Sequence, residues 1–149
     1  SSLENCVFDP LVVIAMLCHL QAKRGGPWPS FVSLRSLSND KWQALVDRVF
    51  AALRSAGEDE NDRVPCTAIE GPSIMYERWY LTFRGHDLEA RLCTTFPELN
   101  AVSRGRAAGA LMVATARTIG AEYPGFFPRE LLDVMQNIQD APVTAGADA

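Results

Sequence analysis

The longest apolar run of the chain is LVVIAMLC, Leu11 to Cys18. Asp9 and Pro10, directly before it, form a helix-start signal, because an Asp side chain can accept from the free amides of the first turn and proline at the first helical position loses no hydrogen bond. The stretch Gly25 to Pro27 ends the helix, which is therefore predicted to run from Pro10 to about Arg24. A helix that is apolar on every side has to be buried in a core or against another subunit.

Further segments of the chain carry a helical pattern. Ser38 or Asn39 can cap a second helix that continues to Gly57, because an apolar residue recurs in it every three or four positions. The same reasoning places three more helices, which begin near Asp87, Pro97 and Pro128. The helix that follows Pro97 is predicted to continue to Tyr123.

The segment Ile74 to Arg84, IMYERWYLTFR, fits two periodicities. A helix would place four aromatic residues in one stripe, namely Tyr76, Trp79, Tyr80 and Phe83. A strand would instead line one face with Trp79, Leu81 and Phe83. We favour the helix, because Ser73 can cap it and Gly85 can terminate it.

These segments together predict an all-α fold. We expect a single domain over residues 1–149, built as a bundle of five or six helices, with a short strand element at 74–83 as the alternative. The tail at 141–149, APVTAGADA, carries little that could be buried, so it is expected to be flexible or held by an assembly.

Composition and spacing argue against several kinds of site. The net charge is −4, and the acidic run Glu58 to Asp62 is typical of a solvated loop and lacks the ligand spacing of a calcium-binding loop. The four cysteines contain no CxxC pair and no Cys/His spacing suited to zinc; they are Cys6, Cys18, Cys66 and Cys93. We therefore predict no metal, no cofactor and no catalytic residues.

The apolar content also bears on localisation. The longest apolar run spans Leu11 to Cys18, far fewer than the about 20 residues of a membrane-spanning helix. No secretory signal is seen, and four cysteines do not make a dense disulfide framework. We expect a soluble protein of an intracellular, reducing compartment, with no membrane partner.

The segment SRGRAAGALMVATARTIGAEY, Ser103 to Tyr123, combines small residues with three arginines. In a continuous helix Arg106 and Arg117 are about three turns apart and share a face. Two aligned guanidinium groups beside small residues can bind an anion such as phosphate, and Arg104 would add a third charge. We predict Arg104, Arg106 and Arg117 as residues that contact nucleic acid or another anion.

Two apolar regions indicate association with another chain. The first helix is apolar all round, and the sequence GFFP near the end of the chain concentrates bulky groups. The predicted interface residues are Leu11, Val12, Val13, Phe126, Phe127 and Leu131. Our first hypothesis is a non-enzymatic subunit that acts by association, either a self-assembling structural or coat-like protein or an adaptor. Its partner is a further copy of itself, with RNA or another protein as additional partners.

Two other functions stay open on the sequence alone. One is a monomeric nucleic-acid or anion-binding protein centred on the same three arginines. The other is an enzyme with Cys66 or Cys93 as its nucleophile. His86 and Cys93 are seven positions apart and could share a face only if a helix continues through Gly85 and Asp87, so the cysteine-dependent enzyme is the weakest of the three hypotheses.

Overall fold

In the computed structural model, the described residues are 8–21, 26–67, 72–82, 85–100, 117–119 and 121–123. They form, in chain order, α1 (Pro10–Gln21), a 3-10 helix η1 (Phe31–Ser36), α2 (Asn39–Leu53), β1 (Arg63–Thr67), β2 (Ser73–Glu77), α3 (Arg78–Thr82), α4 (Gly85–Thr95) and a 3-10 helix η2 (Pro97–Leu99). Residues 117–119 and 121–122 are also helical. The predicted tail at 141–149 lies outside the described residues.

Helix α1 forms the centre of the described structure. The Asp9 Oδ1 atom accepts from the Leu11 amide at 3.0 Å, which caps the helix as its sequence predicts. Every residue from Pro10 to Cys18 is buried. The helix packs against α2, η1 and η2, so one chain covers its apolar surface on all sides. Among the described residues, no helix is both long enough and apolar enough to cross a membrane.

Helix α2 covers one side of α1 with its apolar face. The Ser38 hydroxyl oxygen accepts from the Lys41 amide at 3.3 Å and caps the helix at its N-terminus. The buried residues recur at helical spacing; they are Trp42, Val46, Val49, Phe50 and Leu53. The Phe50 ring contacts the rings of Tyr76 and Tyr80, which joins α2 to the two elements that contain them.

The prediction of an all-α fold is wrong, because β1 and β2 form an antiparallel hairpin in which Val64 pairs with Tyr76 and Cys66 with Ile74. The helix favoured for residues 74–83 is replaced by strand β2 as far as Glu77 and by the short helix α3 after it. Residues alternate in β2: Ile74 and Tyr76 are buried, whereas Ser73 and Met75 are exposed. The aromatic residues that suggested one helical stripe are divided between β2 and α3. Both elements bury a tyrosine in the same core, so the spacing resembled that of a single helix.

Both edges of this hairpin are blocked against a further strand. Met75 donates its N–H to Gln43 Oε1 at 2.8 Å and accepts from Gln43 Nε2 at 3.0 Å, so the side-chain amide of α2 takes the place of a third strand. Opposite Met75 lies Pro65, which has no N–H to offer at the outer edge of β1. Both features oppose the addition of a further strand to the hairpin.

A buried ion pair joins the hairpin to the end of α2. The Glu77 side chain is 0% exposed, and it accepts from Arg54 Nε at 2.8 Å and from Arg54 Nη2 at 2.6 Å. The Trp79 indole donates a third hydrogen bond at 2.7 Å, and Arg63 lies 3.8 Å away. Burial alone raises the pKa of Glu77, but the hydrogen bonds and the charges of Arg54 and Arg63 outweigh it and hold that pKa below its usual value.

We expect Arg54→Ala to destabilise the protein by about 3 kcal/mol, because it leaves a buried carboxylate without its bidentate partner. The matched control Arg78→Ala removes an exposed ion pair with Asp62 and should cost less than about 1 kcal/mol. Urea unfolding at pH 7 measures both values. Arg54→Lys keeps the charge but loses the planar guanidinium group, so its loss of unfolding free energy should lie between those of the two alanine variants. Equal losses in the two alanine variants would contradict the role assigned to Glu77.

Candidate functional site

The structure buries the three predicted interface residues of the first helix. Leu11, Val12 and Val13 are 1%, 0% and 3% exposed within one chain. Their burial therefore requires no second subunit, which removes the physical reason for expecting a contact there. The other three predicted interface residues, Phe126, Phe127 and Leu131, lie outside the described residues, and an interface at these positions stays a prediction.

One of the three predicted anion-binding arginines can be located. Arg117 is exposed, and no ion pair of its side chain is found in the described part of the chain. Arg104 and Arg106 lie outside the described residues. Whether the three side chains share a face stays a prediction.

Most other described arginines are bound to carboxylates of their own chain. These ion pairs are Arg54 with Glu77, Arg63 with Asp47, Arg78 with Asp62 and Arg91 with Glu58. Two of these carboxylates, Glu58 and Asp62, belong to the acidic run that the sequence predicts to be a solvated loop. Glu58 also accepts from the Ser55 amide at 2.8 Å, next to Gly57, whose φ of 92° suits glycine. This segment therefore closes onto α3 and α4 through salt bridges.

Cys18 and Cys66 are poor candidates for a nucleophile, whereas α4 continues through Gly85 and Asp87, so that Cys93 and His86 both belong to this helix. Cys18 lies in the core, and burial raises the pKa of its thiol to about 12. Burial and the negative charge of Asp9 also raise the pKa of Cys66. A raised pKa lowers the thiolate fraction at neutral pH, and the thiolate is the reactive form. His19 is exposed on α1 with its ring edge against Phe31, at 5.3 Å between ring centroids.

A partly buried carboxyl group lies at the start of α1. Asp9 Oδ1 accepts from the Tyr76 hydroxyl at 2.7 Å, and the Tyr80 hydroxyl donates to the Phe8 carbonyl. Burial raises the pKa of Asp9 to about 6, although both hydrogen bonds to its carboxylate act in the opposite direction. No group of three or more metal-binding side chains occurs in the described ranges, so the role that the contacts of Asp9 support is that of a helix cap.

An apolar and aromatic surface is formed where residues 121–123 meet η1. Val32 is 82% exposed on η1, and its neighbour Phe31 packs against Tyr123 with ring centroids 4.9 Å apart. The Tyr123 hydroxyl donates to the Phe31 carbonyl at 2.5 Å. The Arg35 guanidinium lies 5.0 Å from the centre of the Tyr123 ring and donates to the Glu122 carbonyl at 2.5 Å. We call Phe31, Val32 and Arg35, which lie beside the buried Tyr123, the Val32 surface.

No local sequence pattern indicates the Val32 surface. The segment FVSLRS has too few apolar residues for a periodicity that assigns a face, and its contact with Tyr123 joins positions about ninety residues apart. The only local signal was the isolated pair Phe31 and Val32 after a proline-rich connector.

Comparison of the chain with protein-family models, with curated proteins and with solved structures finds no match in any of the three. Function therefore has to be inferred from the residues and their geometry.

We expect Asp9→Asn to stabilise the protein at pH 7. The folded pKa of about 6 exceeds the usual 3.8, so the folded state holds a proton that the unfolded state releases between these values. Stability from this group is fully present at low pH and falls as the pH rises through about 6. An asparagine keeps the accepting oxygen without a charge, so the gain in stability over the parent protein should disappear near pH 4.

Chemical unfolding from pH 4 to pH 8 measures this difference. The control is Asp40→Asn in the exposed first turn of α2, which should lose slight stability because its carboxylate interacts favourably with the helix dipole. If Asp9→Asn is less stable than the parent at pH 7, the charged form of Asp9 is favoured by the fold and our assignment is wrong.

Proposed function

We propose that this protein is a non-enzymatic subunit that acts by association, as a self-assembling structural or coat-like protein or as an adaptor. The observation that carries the proposal is the 82% exposure of Val32 beside the packed rings of Phe31 and Tyr123. Protein interfaces are enriched in aromatic residues and arginine, and the Val32 surface combines both with an exposed apolar side chain.

The order of the Val32 surface supports a role in binding. Tyr123 is tied to η1 by its hydroxyl and by its ring, and Arg35 is tied to the backbone at Glu122. A partner that binds this surface does not have to order these side chains, so less binding free energy is lost. A lone exposed valine is common on proteins, so the packed aromatic neighbours are what favours an interface.

The distribution of charges favours association over a dedicated anion-binding protein. Arg54, Arg63, Arg78 and Arg91 are already paired with carboxylates of the same chain. A nucleic-acid-binding domain instead concentrates free basic groups on one face. In the proposed assembly RNA is a second partner, bound through phosphate by Arg117 together with Arg104 and Arg106.

The cysteine chemistry favours association over a thiol-dependent enzyme. Cys18 and Cys66 are free thiols, which fits the reducing, intracellular compartment that we propose. The raised pKa of Cys66 makes this residue a weak nucleophile at neutral pH.

Light scattering across protein concentration and ionic strength tests the proposal. We expect the parent chain to form oligomers whose mass rises with concentration, and we expect Val32→Asp to shift the midpoint of assembly at least about tenfold higher. A charge placed in an apolar contact has to be desolvated, which opposes association. The RNA arm uses Arg117→Ala, which should weaken salt-dependent growth of the assembly.

The control is Ala44→Asp, which adds the same charge at an exposed position of α2. It should leave the assembly midpoint unchanged. A monomer at every concentration, with and without RNA, would refute the proposal. Equal effects of the two aspartate variants would remove the Val32 surface from it.

A further inference from the structure

An open pocket of about 410 Å³ lies between the connector that precedes η1, helix α2 and the start of η2. Its apolar walls include Pro27, Trp28 and Phe96, and the Trp28 and Phe96 rings meet edge to face with centroids 6.0 Å apart. The volume is within the range of about 300–1,000 Å³ that is usual for small-molecule sites. The pocket shares no residue with the Val32 surface.

The aromatic wall is held in place from the core. Gln21 at the end of α1 is 8% exposed, and its amide donates to the Trp28 carbonyl at 2.5 Å and accepts from the Trp28 N–H at 3.2 Å. Gly26 permits this arrangement, because a Cβ atom there would collide with the Gln21 side-chain oxygen. Both polar groups of the Trp28 backbone are satisfied by one buried side chain. The ring is thus positioned before any ligand binds, which lowers the cost of binding.

Two opposite charges line the same pocket. The Arg48 guanidinium lies 4.2 Å from the centre of the Trp28 ring and donates one hydrogen bond to the Pro27 carbonyl at 3.2 Å. Glu98 on η2 supplies a carboxylate. Within the described part of the chain, neither Arg48 nor Glu98 forms an ion pair, in contrast to the arginines bound by the acidic segment. Arginine has five N–H donors, so most of those on Arg48 remain for a ligand.

We infer that this pocket binds a small aromatic zwitterion, that is, a free α-amino acid with an aromatic side chain. The ligand carboxylate would pair with Arg48, its ammonium group with Glu98, and its ring with the wall formed by Trp28 and Phe96. Such a ligand pairs with both charges at once, whereas a singly charged molecule pairs with one of them and a purely apolar molecule with neither.

The test is a titration of the ¹⁵N-labelled protein with L-phenylalanine, observed at the indole N–H signal of Trp28. The signal is assigned by its loss in Trp28→Phe. Two comparison ligands each lack one charge: 3-phenylpropanoate has no ammonium group, and 2-phenylethylamine has no carboxylate. We expect both to bind about tenfold more weakly than L-phenylalanine, because each loses one charge-assisted hydrogen bond.

Two variants connect each charge to one residue. Glu98→Gln should weaken the binding of L-phenylalanine about tenfold and leave the binding of 3-phenylpropanoate unchanged. Arg48→Gln should also weaken the binding of L-phenylalanine about tenfold, but leave the binding of 2-phenylethylamine unchanged. The controls Glu89→Gln and Arg78→Gln change the same charges away from the pocket and should have no effect. Absence of any shift at Trp28, or equal binding of the three ligands, would overturn the inference.

Discussion

The described structure depends on the burial of α1. A helix that is apolar on all sides is stable only if every side is covered, and within one chain every residue from Pro10 to Cys18 is buried, with α2, η1 and η2 packed against the helix. Polar side chains form hydrogen bonds at both ends of the helix. Asp9 caps its first turn, and Gln21 in its last turn binds the backbone of Trp28. Asp9 also accepts from the Tyr76 hydroxyl, so it connects the hairpin to the central helix. Gln21 connects Trp28 to the same helix.

Polar side chains do much of the joining between elements. Arg54 connects α2 to β2 through Glu77, and Gln43 connects the same two elements by pairing with the Met75 backbone. The same kind of amide contact holds Trp28 to Gln21. Charged residues that composition alone would assign to the solvent therefore act as structural links. This leaves the charged pocket beside Trp28 and the exposed Val32 surface as the sites on which the functional inferences rest.

The sequence predicted those elements whose signals are local. The start of α1 at Asp9 and Pro10, and the cap of α2 at Ser38, are both found where the pattern placed them. The hairpin was missed because β1 contains Pro65 and because the aromatic stripe of β2 continues into α3. The Val32 surface and the ion pair of Glu77 join residues that are distant along the chain, and no periodicity within one segment reports such contacts.

Hydrogen exchange at the backbone amides of α1 tests most directly whether one chain covers this helix. It is measured in the Val32→Asp variant, whose association is weakened, because association of the parent chain would itself raise protection by mass action. If it does, the amides from Val13 to Leu17 exchange only through global unfolding, and their protection is the same in dilute and concentrated protein. Protection that falls on dilution would show that a second copy covers the helix. Exchange faster than that of α2 would show that α1 is not the core. Either result would contradict the central position of α1 within a single chain.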